Sequence, residues 1–268
     1  MEKVGRKAGA SARTISTPSS AVGFAGNLLW SLSCLLLSFT LAWILLLPSD
    51  FAYPIWYDHA GIGSAIDLYG PQNRFKAGFG DTSRAQRISI FAQIDRAVNR
   101  GGKGLENIQY QSASSDGPQQ FLRPNEIEHL RDVSRLIDFC KMLSLINVGV
   151  CSVLMFLALK VRLFLVRWST QLQGILALSA GTGLILLAFG AENVFNHLHM
   201  WIFPAGHQWF FYYQDSLMST LMFAPHLFGW IALALVALAL PAYVGLNTIV
   251  ILAQKYLMSR IQISTLQR

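Results

Sequence analysis

The tract Ser216–Gln254, SLMSTLMFAPHLFGWIALALVALALPAYVGLNTIVILAQ, decides the class of fold, because it carries no acidic residue, lysine or arginine over far more than one membrane crossing. A bilayer core of about 30 Å needs roughly 20 helical residues, so the tract holds one span and an extra approach. Pro225 and Pro241 interrupt it. We place the fourth span at residues 226–254, kinked at Pro241, and read the residues before it as an interfacial or re-entrant approach. Three further apolar runs, residues 22–47, 139–159 and 172–190, are each long enough to cross. With 53% hydrophobic and 13% charged residues and a mean hydropathy of +0.41, the chain is expected to be an all-α polytopic membrane protein with four transmembrane helices.

Charge orients the helices. Lys3, Arg6, Lys7 and Arg13 lie in the N-terminal tail (1–21), Lys160, Arg162 and Arg167 in the short link (160–171), and Lys255, Arg260 and Arg268 in the C-terminal tail (255–268). These segments hold ten basic residues and one acidic residue, Glu2, so they carry +9 of a formal +7, and the rest of the chain carries −2. The positive-inside rule puts both termini and the link in the cytoplasm. The basic balance therefore reads as topology and contact with anionic membrane lipids, and not as nucleic-acid binding. The first apolar run is longer than a signal-peptide core and lacks an obvious small-residue cleavage pattern, so a retained anchor is expected. Cys34, Cys140 and Cys151 all fall within predicted spans, which argues against a thiol oxidoreductase of the outer face.

This topology gathers two segments outside the cytoplasm, residues 48–138 and 191–225. The first is expected to form a helical loop domain. In Arg84–Arg100, Ile88, Phe91, Ile94 or Asp95, and Val98 recur at helical spacing, and Gly101-Gly102 ends the run. Such a helix suits the membrane surface or the cap of a bundle. Residues 111–120, rich in Ser, Gly and Gln, read as a mobile linker. A second helix starts at Pro124-Asn125 and runs into the second span. On it Glu126, His129 and Asp132 follow at intervals of three and share a face, where a carboxylate could orient the imidazole; the alternative is a solvated face with an incidental histidine. The second loop, Phe195–Phe211, sets His197, His199 and His207 among aromatic residues, and histidines at a membrane boundary are candidates for a functional site. Trp201, Phe203, Trp209 and Phe210 read as an aromatic belt that could also form an acyl-chain groove. Glu192 could pair with His129 or a loop arginine, whereas His207 reads as solvated.

The stretch Glu126-Ile-Glu-His-Leu-Arg-Asp-Val133 resembles the acidic-x-x-His-(Leu/Met)-x-Asp-Val element of the bacterial lipoprotein intramolecular transacylases. A second element of that family resembles His199 with Phe203-Pro204, then Trp209-Phe210, Ser216-Leu-Met218 and Pro225-x-x-Phe228. Departures are Leu130 and Ser134, where members often carry Met and Lys, and Leu198 in place of Phe. The resemblance implies an enzyme that moves the sn-2 acyl chain of a diacylglyceryl lipoprotein to the amine of its N-terminal cysteine, without a cofactor. It places the two essential histidines on His129 and His199, supported by Glu126, Asp132 and Glu192; His197 is the alternative occupant of the second position.

The residues suit that chemistry on their own. Aminolysis of an ester needs a base, an oxyanion partner and an acid for the leaving oxygen, and two imidazoles can share these transfers near neutral pH. We expect His129 to act as base and His199 as acid or oxyanion partner. No GxSxG elbow is present. Two other classes compete: a His-ligated haem or metal membrane protein, and a non-catalytic membrane partner or small transporter.

Overall fold

The computed structural model describes residues 20–113 and 115–266. The basic tail before residue 20, with Lys3, Arg6, Lys7 and Arg13, and Arg268 at the other end lie outside the described residues. The chain is almost entirely helical: α1 (Ser20–Leu46), α2 (Tyr53–His59), α3 (Ile62–Tyr69), α4 (Arg84–Val98), α5 (Pro124–Phe156), α6 (Trp168–Phe189), α7 (Ala191–Ile202), α8 (Leu217–Met222) and α9 (His226–Leu266). Four helical segments are long and apolar enough to cross a membrane: Ala21–His59, Pro124–Val161, Trp168–Phe189 and His226–Ser264. At about 1.5 Å per residue α5 is roughly 50 Å long, well beyond a bilayer core. Its charged first half, residues 124–138, therefore projects from the bundle, and only its apolar second half spans.

Helix α1 is the hub of the bundle, packed against α5, α6 and α9. Lipid tails offer no hydrophobic drive for helix association, so polar contacts and close packing must specify it. Trp30 donates to Asn247 Oδ1 at 2.9 Å, Ser31 Oγ and Tyr243 Oη lie 2.8 Å apart, and Tyr243 Oη donates to Gln171 Oε1 at 2.8 Å. Gln171 is the one buried residue recorded in α6, which otherwise shows its surface outward. Between α5 and α6 the chain turns through Leu157–Val161 and an extended segment whose backbone groups lack helical partners. Side chains supply them: Gln254 Oε1 accepts from the Val166 amide, Gln254 Nε2 donates to the carbonyls of Ala158 and Phe164, and Asn27 Nδ2 donates to that of Leu165. Gly26 admits the Phe164 ring, since a Cβ there would sit 2.5 Å from its Cδ1.

The segment between α1 and the span of α5 folds as a cap with its own core. Tyr53, Ile62, Ile66, Phe79, Ile90, Ile94, Leu105, Tyr110, Phe121 and Leu122 pack together with Leu217 and Leu221 of α8. Arg87 is buried in α4 and is satisfied by Asp67, Tyr57, Thr82 and the Gly80 carbonyl. Helix α4 is buried on several sides, because α2, α5 and α8 all pack on it. The ends of the expected mobile linker are pinned: Gln109↔Gln120 and Tyr110↔Gln119 pair as a short antiparallel ladder. The expected interfacial approach before the last span is instead helix α8, every residue of which is buried, because its apolar side chains complete the cap core. Three consecutive left-handed residues, Asp50, Phe51 and Ala52, redirect the chain from α1 into the cap.

Phe121 is fully buried in the cap core. We expect Phe121→Ala to destabilise the detergent-solubilised protein by about 3–5 kcal/mol in denaturant unfolding; a loss under about 1 kcal/mol would contradict its place in the core.

Candidate active site

The sequence builds the site by making three elements converge. Pro124 fits the first turn of α5, and Glu126 completes a capping box by accepting from the Arg123 backbone amide. That sets His129 one turn further on, toward α4 and the loop after α7. Helix α7 starts after Gly190, whose positive φ of 76° turns the chain out of α6, and ends before Phe203-Pro204. The loop that follows returns over α5 to α8.

Between these elements lies a pocket of about 450 Å³. His129 and His199 both line it, and the Phe203 ring packs near both, its centroid 5.1 Å from the first imidazole and 5.3 Å from the second. Trp209 packs on His199 at 5.0 Å and Phe211 on His129 at 5.9 Å. The rest of the wall is largely apolar, drawn from α1, α4, α5, α8 and α9, and includes Trp43, Phe91, Met222 and Phe228. His199 Nδ1 lies 2.9 Å from the Phe195 carbonyl. A carbonyl oxygen only accepts, so the proton sits on Nδ1 and the lone pair of neutral His199 is on Nε2. His129 has no hydrogen bond to a described residue, which leaves its ring nitrogens to a substrate. Burial, with His199 nearby, pushes the His129 imidazole down to about 4 against the opposing pull of Asp132, so the ring is neutral at pH 7 and keeps a lone pair.

His197, two residues before His199, is exposed and bonded to the Asn193 carbonyl at 2.7 Å; it does not line the pocket. Residues two apart on a helix point about 200° from each other, so only one can face α5. Of the expected aromatic groove, Phe203 and Trp209 line the pocket, while Trp201 (84% exposed) and Phe210 (53% exposed) lie outside it. Glu192 is exposed in the first turn of α7 and is not part of the wall.

Both carboxylates of the α5 face hydrogen-bond groups other than His129. Glu126 is buried, and besides its cap it accepts from the Ser216 hydroxyl at the start of α8. Asp132 is buried and holds His207, whose Nδ1 is 2.6 Å from its Oδ2, and Arg135 on its other oxygen. His207, expected to be solvated, thus anchors the returning loop to α5, with Glu128 3.5 Å from its Nε2. The i, i+3 spacing put both carboxylates on the correct side of α5 but could not show which loop would reach them first. Asp95, Ser219, Trp43 and Met218 also line the pocket; the ambiguous Ile94/Asp95 position in the α4 stripe was the signal for Asp95 and the Ser216-Leu-Met218 element that for Met218, while Ser219 and Trp43 had none. Among the described residues no three His, Cys, Asp or Glu side chains converge as metal ligands would.

The hydrogen bond that His207 donates to Asp132 holds its imidazole above the ordinary value, and Glu128 adds to the effect. The stability this pair contributes is fully present below the ordinary value and is lost as pH rises through the raised one. NMR titration should find His207 above about 6.5 in the native protein and nearer that value in Asp132→Asn. An unchanged midpoint in the variant would contradict the pairing.

The family model described as lipoprotein intramolecular transacylase Lit matches residues 106–223. No curated protein matches at a significant level. Among solved structures, a histidine-to-arginine mutant of the membrane integral lipoprotein intramolecular transacylase Lit from Bacillus cereus superposes with a TM-score of 0.60 at 17% identity, covering 91% of this chain and 95% of that one. That likeness establishes a shared fold. Through the segment that carries both pocket histidines, the chain resembles the lipoprotein intramolecular transacylases, a family of acyltransferase enzymes.

Proposed function

We propose that the protein moves the sn-2 acyl chain of a diacylglyceryl lipoprotein to the amine of the lipoprotein's own N-terminal cysteine, with His129 and His199 as the acid-base pair. The observation that carries this reading is the convergence of the two imidazoles on one largely apolar pocket, each within about 5 Å of the Phe203 ring, inside the segment that matches the transacylase family. The asymmetry of basic residues supports a site on the outer face of a bacterial cytoplasmic membrane, with both termini inside.

In the proposed reaction the ammonium first loses a proton through His129. The amine nitrogen then attacks the ester carbonyl, forming the N–C bond and placing negative charge on the carbonyl oxygen. His199 Nε2 takes a second proton from the attacking nitrogen, and collapse then breaks the bond to the sn-2 oxygen, which receives that proton from His199 and leaves as a free hydroxyl. Of the three ammonium protons one stays on the amide, one balances the new hydroxyl and one goes to solvent. Amine and ester belong to one molecule, so the pocket's contribution is to fold that molecule into a reactive pose; alignment of this kind can supply about 7–11 kcal/mol. The apolar wall suits acyl chains, and no acyl-enzyme is needed.

The test is mass spectrometry of a lipoprotein N-terminus after co-expression in cells that lack N-acylating enzymes. The native protein should yield the N-acylated lyso-form. His129→Ala or His199→Ala should each lower its yield by at least about a hundredfold, in line with acid-base contributions. His197→Gln should keep most of it, and a dead His197→Gln beside a working His199→Gln would move the assignment to His197. Reporter fusions after residues 110 and 268 should read opposite compartments; the same compartment for both would overturn the topology.

A further inference from the structure

We propose that Asp95 is the subsite for the substrate's primary ammonium group, an anionic anchor in the pocket wall that positions the nucleophilic nitrogen between the two histidines. This inference rests on the transacylase reading for the nature of the substrate. Asp95 sits on α4 and is the only acidic or basic side chain besides the histidines among the described residues lining the cavity. It is 8% exposed. Asn99 Nδ2 donates to its Oδ1 at 3.1 Å, which orients the carboxylate. Its Oδ2 has no hydrogen-bond partner among the described residues.

A buried carboxylate in an apolar wall is costly unless it is paired. Its neighbours in the α4 stripe, Phe91, Ile94 and Val98, are apolar and buried. The substrate has the complementary problem, because its α-amine is cationic at neutral pH and the cavity offers no other anion. Pairing the two offsets both costs. The same contact serves the reaction, since attack of an amine on an ester passes through an intermediate with positive charge on nitrogen, and a fixed carboxylate stabilises it. Burial, with Asp50 nearby, pushes the Asp95 carboxyl up to about 6, while Arg96 and Asn99 pull it down; an arriving ammonium favours the ionised form further.

The test separates ammonium binding from acyl transfer. Binding of a fluorescent diacylglyceryl lipopeptide with a free cysteine amine is compared with that of its des-amino analogue, in which 3-mercaptopropionate replaces the cysteine, using the full chain in detergent at pH 7.5. The native protein should prefer the amine at least tenfold. In Asp95→Asn the preference should fall to twofold or less with the des-amino affinity unchanged, which also reports an intact pocket. Asp95→Glu, which retains the charge, should recover a clear preference if the asparagine variant fails to fold. Absence of a preference in the native protein, or its survival in Asp95→Asn, overturns the inference. A native protein that prefers the amine yet makes no lyso-form would retain the ammonium subsite and refute the transacylase reading instead.

Discussion

The buried carboxylate of Glu126 is the tie on which the site depends. A carboxylate out of water is tolerable only when its oxygens are satisfied, and here the partners are the Arg123 amide and the Ser216 hydroxyl. One partner fixes where α5 starts and the other fixes where α8 starts. The chain between α7 and α8 must therefore begin at the His199 helix and finish beside the His129 helix. That closure sets Phe203, Trp209 and Phe211 against the imidazoles. Asp132 adds a second attachment partway along the loop through His207, and Arg123 a third, by donating to the Asp215 carbonyl at 2.8 Å.

The pocket that results is apolar with few polar groups, and each of those has a distinct environment. His199 is oriented through Nδ1 by a carbonyl of its own helix, His129 is flanked by aromatic rings, and Asp95 is oriented by Asn99. Acids that could have neutralised the histidines are drawn into structural pairs instead.

The two halves of the molecule are held by different physics. The cap has an aromatic and aliphatic core, in which Tyr53 stacks on Phe91 with centroids 3.8 Å apart. The bundle relies on buried Trp30, Ser31, Gln171, Tyr243, Asn247 and Gln254, whose hydrogen bonds specify helix neighbours where lipid cannot. The pocket lies at the junction, taking Trp43 from α1 and Phe228 and Ile231 from α9 alongside the cap residues.

Local rules were enough to place the four spans, α4 and the start of α5, but not α2, α3, α7 or α8. Length and apolarity identify four spans, and Pro124 with Glu126 three residues beyond the cap marks the start of α5. The two histidine motifs were legible for the same reason, since spacing along a helix or before Phe203-Pro204 is a local property. What local spacing could not decide is which groups meet. Glu126 and Asp132 share a face with His129, yet Ser216 and His207 claim them, because the returning loop brings these partners within bonding distance. Asp95 looked like one alternative in an apolar stripe and became a pocket residue only when α5 packed on α4. His199 prevailed over His197 as the pocket histidine only once α7 had a definite rotation against α5. The sequence by itself determined the spans and the chemistry of the two histidine motifs; the tertiary structure decided which side chains pair, because pairing depends on distances that close only when segments distant in the chain pack together.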